Sequence, residues 1–175
     1  KIAASNFVMA GGKIITTTDS PGVGGIVDVR ADNVRIENGS AIESDALNSG
    51  PGGAIILIAR DSFLLSNALI EAEAKGSGSG GLVQIEAPDI TLGEDGEVNI
   101  SALSGTGDAG ELTIRGESLT LDNSLIATET LTAGNAGHAT LTADTIIATG
   151  AVIQGETLGA GQGADITLLA DDIAL

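Results

Sequence analysis

The residues Gly80-Gly81-Leu82-Val83-Gln84-Ile85-Glu86-Ala87-Pro88-Asp89-Ile90-Thr91-Leu92-Gly93 form the clearest copy of a unit that recurs along the whole chain. In this unit a glycine turn is followed by a segment with apolar residues at every second position and then by an alanine. An acidic residue at a corner and a second, shorter alternating segment complete the unit. The last small residue of the turn recurs at a nearly constant interval, as Gly25, Gly53, Gly81, Gly110, Gly137 and Ala164. A regular period of about 28 residues is typical of a solenoid repeat.

Residues at equal distances from each turn share their chemistry. The positions two and four residues after it are apolar in every copy: Val27 and Val29, Ile55 and Leu57, Val83 and Ile85, Leu112 and Ile114, Ala139 and Leu141, Ile166 and Leu168. The position six residues after it holds only small side chains: Ala31, Ala59, Ala87, Gly116, Ala143 and Ala170. Alternation with a period of two indicates strands, and no window has helical periodicity.

These columns predict an all-β fold, a right-handed parallel β-helix (solenoid) of about six coils, each of about 27–29 residues with three short strands per coil. In the first complete copy we expect the strands at residues 26–30, 34–36 and 41–44. One strand cannot bury its apolar side alone, but three strands wound around a coil and stacked on similar coils can.

Two further columns predict backbone conformations. Asn38, Asn67 and Asn123 occupy the same place after their turns to within one position, which favours a left-handed corner, since asparagine tolerates that conformation. Glu94 replaces the amide in one copy and Gly150 in another. The turn glycines are expected to adopt positive φ and to permit close approach of the backbone.

Composition restricts the partners and the chemistry. The 175 residues include 7 Lys and Arg against 24 Asp and Glu, a formal charge of −17, which disfavours nucleic acid and anionic membrane surfaces. There is no cysteine, and therefore no disulfide or thiolate chemistry. The only aromatic residues are Phe7 and Phe63, so aliphatic side chains must fill the core.

The chain is expected to be one β-helical repeat segment, residues 1–175, cut from a longer protein. Ile14 precedes Gly25 by the same distance as Ile42 precedes Gly53, and Ile173 lies in the second alternation after Ala164. The sequence therefore begins and ends in mid-coil, without the polar caps that stacked repeats usually need.

The repeat resembles those of filamentous haemagglutinin-like exoproteins, the large adhesins of bacterial two-partner secretion systems. The resemblance extends over residues 7–175 and rests on the glycine turn, the apolar alternation with alanine, the acidic corner and the second alternation. It implies a protein secreted to, or held at, the cell surface of a Gram-negative bacterium, exported through an outer-membrane transporter. The Asn-Pro-Asn motifs of the family's secretion domain are absent from this sequence.

No group of residues predicts catalysis. His138 lies one residue after its turn, where other copies carry unrelated side chains, and the sequence offers no nucleophile motif to go with it. Arg30 and Arg115 share a column but lie three coils apart, which is about 14 Å at the strand spacing. We expect no enzyme activity, no catalytic residue and no cofactor.

Acidic residues could in principle bind calcium. The candidates are Glu94, Asp95 and Glu97, the pair Asp108 and Glu111, and the corner column of Asp32, Asp61, Asp89, Glu117, Asp144 and Asp171. The period is about three times that of the nine-residue calcium-binding β-roll, and aspartate often stabilises turns through its own backbone. No metal site is therefore predicted.

The favoured function is a structural segment of a secreted, cell-surface adhesin or extracellular fibre, to which it gives reach and rigidity. Its partners would be neighbouring repeats of the same longer chain and a surface or host ligand that the sequence does not identify. Two alternatives stay open: a carbohydrate-active β-helix enzyme or polysaccharide-binding domain, and a filament formed by end-to-end self-association.

Overall fold

A computed structural model describes residues 1–131 and 133–175, and in them the chain is built from strands and turns with no helix. The strands are β1 (Ile2–Ala3), β2 (Asn6–Ala10), β3 (Lys13–Thr18), β4 (Ile26–Ala46), β5 (Ala54–Glu71), β6 (Leu82–Glu86), β7 (Asp89–Leu92), β8 (Gly96–Asn99), β9 (Glu111–Arg115), β10 (Ser118–Asp122), β11 (Leu125–Ala127), β12 (His138–Thr142), β13 (Thr145–Thr149), β14 (Val152–Gln154), β15 (Asp165–Leu169) and β16 (Asp172–Ala174). No helix that could cross a membrane occurs among these residues.

All strand pairs are parallel, and each joins residues one repeat apart. Along the first strand of successive coils, one file of paired residues is Ile2, Val29, Leu57, Ile85, Ile114, Leu141 and Leu168. Along the second strand, a file is Phe7, Val34, Phe63, Ile90, Leu119, Ile146 and Ile173. The predicted parallel β-solenoid of about six turns is confirmed. Its right-handed sense stays a prediction.

Three strand segments per coil are also observed, with one difference. In β4 and β5 the chain continues as one strand around the corners, and the register between them shifts only at Ala31/Asn33 and Glu37/Ser40. The corner backbone remains bonded to the neighbouring coil, as in the bond from Asp32 N to Ser5 O at 2.9 Å. In later coils the three segments are separate strands.

Aliphatic side chains fill the interior of the coils. The columns two and four residues after the turn are buried from Val27 and Val29 to Ala139 and Leu141. Ile166, in the last described coil, is 41% exposed. Full burial of such a side chain contributes about 1.5 to 3 kcal/mol, so the core is the main source of stability.

The alanine column lies at the first corner, where the chain turns inward. Ala31, Ala59, Ala87 and Ala143 are 5–6% exposed and belong to the core cluster. A larger side chain at this corner would have to displace neighbouring core atoms, which explains why only alanine and glycine occur there.

The left-handed corner exists, but one of its members differs from the expectation. Asn38, Asn67 and Asn123 have φ of 58°, 47° and 46°, and Gly150 has φ of 63°. In the remaining copy the residue is Asp95, with φ of 53°, and the assignment of Glu94 was wrong. Aspartate, like asparagine, tolerates this conformation because its short polar side chain can bond locally, whereas glutamate lacks that advantage.

The expectation of positive φ at the turn glycines was wrong for nearly all of them, since Gly105 alone has it among those described. Glycine is needed in these turns because the backbones of neighbouring coils approach each other closely there. Each turn backbone is bonded to the next coil, as in the bonds from Ala54 N to Gly25 O at 3.0 Å and from Leu82 N to Gly53 O at 2.9 Å. A side chain on the anchor glycine would meet the carbonyl of the coil below.

Replacing Gly81 by alanine tests this constraint. The added Cβ would lie 2.9 Å from the Cβ of Ala72 and still closer to the carbonyl oxygen of Gly53. We expect Gly81→Ala to lower the free energy of unfolding by about 1 to 3 kcal/mol, as overpacking does, measured by urea denaturation. The control is Gly163→Ala in another turn, where the added Cβ meets nothing within 4 Å and the change should be neutral or slightly stabilising. Equal effects at the two positions would refute the explanation by close approach.

Candidate functional site

A cluster of charged side chains lies on the third strand of two neighbouring coils, those of β4 and β5. The third-strand row consists of β3, the last parts of β4 and β5, then β8, β11 and β14. Glu43 pairs directly with Glu71, and the pairing of Ala46 with Ala74 places Asp45 beside Glu73. Stacking in register therefore puts two acids of one coil against two acids of the next.

Lys75 lies among these acids and contacts three of them. Lys75 Nζ is 2.6 Å from Asp45 Oδ2, 3.2 Å from Glu71 Oε1 and 3.7 Å from Glu73 Oε2. We call Glu43, Asp45, Glu71, Glu73 and Lys75 the Lys75 cluster. The lysine interrupts a column that is leucine in the other complete coils, namely Leu47, Leu103, Leu131 and Leu158.

Burial makes the charges of this cluster interact strongly. The side chains of Asp45 and Glu73 are only 5% and 7% exposed. Burial, aided by the charges of Glu71 and Asp45 and opposed by Lys75, raises the pKa of Glu73 from 4.5 to about 7. Burial acts to lower the pKa of Lys75, but its bonds and charge interactions with Asp45 and Glu71 outweigh this and raise it. Near neutral pH, the cluster therefore holds a charged ammonium group and a carboxyl that is only partly ionised.

Three of the carboxylates are close enough to share one ion. One oxygen each from Glu43, Asp45 and Glu71 lies within 4.8 Å of the others. Glu43 is also paired with Lys13, whose Nζ lies 3.0 Å from its Oε1. The second oxygen of Asp45, Oδ1, is fully buried and has no hydrogen-bond partner.

Acidic residues continue along the third-strand row into the next coils, at Glu97 and Glu129. Burial raises the pKa of Glu97, and the charges of Glu71 and Glu129 add to the effect. Amide side chains accompany these acids, since Gln154 donates a hydrogen bond to Glu129 and Asn99 accepts one from Ser101. The negative charge of the whole row is thus compensated mainly at Lys75 and Lys13.

The residues considered for catalysis do not converge. His138 is exposed on the outer row of first strands and lies 3.4 Å from Asp165. Arg30 bonds Asp28 on its own strand, while Arg115 is exposed on β9. These positions do not test the expectation that the chain has no enzyme activity.

The acids considered for calcium are dispersed as well. Asp108 Oδ1 accepts a hydrogen bond from Asn135 N at 2.7 Å, and Asn135 Oδ1 accepts one from Gln162 N at 2.9 Å. Asp108 therefore stabilises the stacked turns, while Glu111 lies on the exposed outer row. The corner acids do not form a group of three within reach of one ion in the described parts of the chain, where the Lys75 cluster alone does so.

A shallow groove of about 690 Å³ runs along the glycine turns, across several coils. Its floor is turn backbone, including Gly53 and Gly81, and one wall is the outer row of first strands. That row is apolar at Ile26 and Leu82 and carries polar side chains beyond them, at Glu111 and His138. The groove presents backbone atoms and no convergent set of charged or nucleophilic groups among its described residues.

The Lys75 cluster was not predicted from the sequence, although its acidic residues recur at equal positions in two repeats. Glu43 and Glu71 lie equally far from the turn anchors of their own repeats, and so do Asp45 and Glu73. This signal belongs to the third strand, whereas the expectations above came from the columns of the first and second strands. The burial of these acids, and the position of Lys75 between them, depend on how the turn folds back over the strand.

Comparison of the chain with protein-family models, with curated proteins and with solved structures gave no significant match.

The raised pKa of Glu73 makes the stability of the folded protein decrease as the pH rises. The folded protein holds the proton more tightly than the unfolded chain, so this contribution to stability is complete below pH 4.5 and is lost as the pH rises to about 7. With a chelator present, we expect Glu73→Gln to be more stable than the parent by ~1 kcal/mol above pH 7, a value reduced for solvent screening near Lys75. The difference should vanish below pH 4.5.

Denaturation with urea from about pH 4 to about pH 8.5 measures this difference. Glu117→Gln, at an exposed corner, is the control for removing one negative charge from an acidic chain. A Glu73→Gln advantage that is constant over the whole range would contradict the assignment.

Proposed function

We propose that this chain is a structural segment of a secreted, cell-surface β-helical adhesin or extracellular fibre, to which it contributes length and rigidity. The observation that carries the proposal is the uniformity of the coil. The turns recur with a nearly constant period, and among the described residues no coil carries a long inserted loop on which a site could be built. Loops of that kind are where functional residues usually occur on a repetitive scaffold.

The stacking supports a role in reach. Each coil adds one strand spacing of about 4.8 Å, so length grows in proportion to the number of repeats. The inner coils also bury an aliphatic layer and bond their backbone to both neighbours, which favours a stiff rod. Sequence resemblance to filamentous haemagglutinin-like exoproteins supports the surface location and the export through an outer-membrane transporter.

The excess of acidic residues supports an extracellular setting. A net charge of −17 on 175 residues keeps such a rod soluble and discourages lateral association, because neighbouring rods repel one another. We propose no catalytic role, and the dispersal of His138, Arg30 and Arg115 described above is compatible with that.

Extension by repeat addition can be measured on a tandem protein. Ile173 lies in the file of Phe7, so Leu175 occupies the place of Met9. A fusion in which Leu175 is followed directly by Ala10 of a second copy therefore continues the winding in phase. We expect small-angle X-ray scattering to show a rod longer by about 29 Å, or six coils at the strand spacing. In the control fusion, Leu175 is followed by Gly24 of the second copy, which is half a coil out of phase. This fusion should not form a continuous rod. If the in-phase tandem is no longer than the single copy, the proposed role in reach fails.

The location is tested on intact cells of the source organism. Antibodies raised against the chain, with gold-labelled secondary antibodies, should label the outside of unpermeabilised cells in electron micrographs. Cells from which the gene has been deleted are the control. Labelling that requires permeabilisation and lies in the cytoplasm would contradict a surface fibre.

A further inference from the structure

The buried carboxylate of Asp45 is incompletely satisfied. Its Oδ2 accepts a hydrogen bond from Lys75 at 2.6 Å, but its Oδ1 is fully buried and has no partner. A buried charged oxygen without a partner is unfavourable, and such groups are normally paired or coordinate a metal ion. The same side chain lies within reach of Glu43 and Glu71, which offer further carboxylate oxygens.

We propose that Glu43, Asp45 and Glu71 form a calcium-binding site, and that the ammonium group of Lys75 substitutes for the ion when calcium is absent. The proposal concerns a ligand site and is independent of the role in the fibre. It requires Lys75 to leave the site, which a long and flexible side chain at the edge of the cluster can do, since this side chain is 37% exposed.

The ligand set favours a hard divalent cation. All three side chains offer oxygen, and carboxylate oxygen is the donor that calcium and magnesium prefer. Oxygens on opposite sides of a calcium ion lie about 4.6 to 5.2 Å apart, given calcium–oxygen distances of about 2.3 to 2.6 Å. The separations within the cluster, up to 4.8 Å, fit such a shell.

Calcium fits better than magnesium for two reasons. Magnesium keeps several waters and demands a regular octahedron, whereas calcium accepts irregular arrangements of carboxylate and other oxygens. Asp45 is almost completely buried, so an ion bound to it would have to lose part of its hydration shell. The site therefore favours an ion that sheds its water readily.

The local negative charge also favours a cation with more charge than the ammonium group of Lys75. Glu43, Asp45, Glu71 and the partly ionised Glu73 face only Lys75 and Lys13 among the described residues, so carboxyl groups outnumber lysines four to two. A divalent ion in place of the Lys75 ammonium would neutralise more of this charge. Its binding and that of the lysine are mutually exclusive, so Lys75 acts as a built-in competitor that sets the affinity.

A bound ion would join two coils. Glu43 and Asp45 belong to β4, whereas Glu71 belongs to β5, one coil further along the rod. Because the ion binds the folded arrangement and not the unfolded chain, the midpoint of thermal unfolding should rise with calcium concentration.

Isothermal titration calorimetry on the whole chain, freed of metal by a chelator and dialysed into low-salt buffer, tests the site. We expect one saturable calcium site per chain with a dissociation constant on the order of 10⁻⁴ to 10⁻³ M, as in extracellular calcium modules. Magnesium should bind at least about tenfold more weakly. Absence of saturable calcium binding in both the parent and Lys75→Leu would overturn the proposal.

Variants locate the site and test the competition. Asp45→Asn and, as a milder change at a less buried side chain, Glu43→Gln should each abolish the saturable phase while circular dichroism confirms the fold. Lys75→Leu restores the residue found in the other coils and should tighten calcium binding about tenfold, because the competing charge is gone.

Asp144→Asn, at an exposed corner, is the matched control and should leave the saturable phase unchanged. Calcium binding that persists in both Asp45→Asn and Glu43→Gln would place the ion elsewhere and overturn the assignment. Weaker binding by Lys75→Leu would equally refute it, since the lysine would then support the site instead of competing for it.

Discussion

Backbone hydrogen bonding from coil to coil, in constant register, is the constraint from which the other properties of this protein follow. Each strand is bonded to the same strand of the coils before and after it, and the turns are bonded in the same way, as between Gly52 N and Ser79 O at 2.8 Å. Strands in this arrangement lie about 4.8 Å apart, which leaves no room for a side chain at anchor positions such as Gly53 and Gly81.

The same register decides what the surface can do. A residue on the outside of one coil has as its nearest neighbours the residues one repeat away, so like residues meet like residues. In an acidic chain this produces files of carboxylates, which repel one another unless a cation lies between them. Lys75 supplies that cation in one coil by replacing a leucine, and it is surrounded by acids from two coils. The cluster is thus a consequence of stacking and of a single substitution in the repeat.

A fibre segment and a cation site are compatible roles for one rod. The rod gains its stiffness from the aliphatic core and the hydrogen bonds, which do not depend on any ion. An ion bound at Glu43, Asp45 and Glu71 would add a link between two coils at the point where like charges weaken the stack. In that arrangement the local stability of the rod would respond to calcium without a change in its architecture.

The sequence by itself determined the architecture, because the period, the apolar columns and the small-residue corner are properties of the repeat that require no coordinates. It also located the left-handed corner at Asn38, Asn67 and Asn123 but chose Glu94 where the chain uses Asp95, since a one-residue offset within a loop cannot be read from spacing. Of the two properties expected of the turn glycines, close approach of the backbone is confirmed, whereas positive φ is found at Gly105 alone among those described, because φ depends on the path of the backbone between coils. Only the tertiary structure decided that Asp45 and Glu73 are buried and that Lys75 reaches both, since burial and side-chain distances arise from how turn and strand pack across two coils.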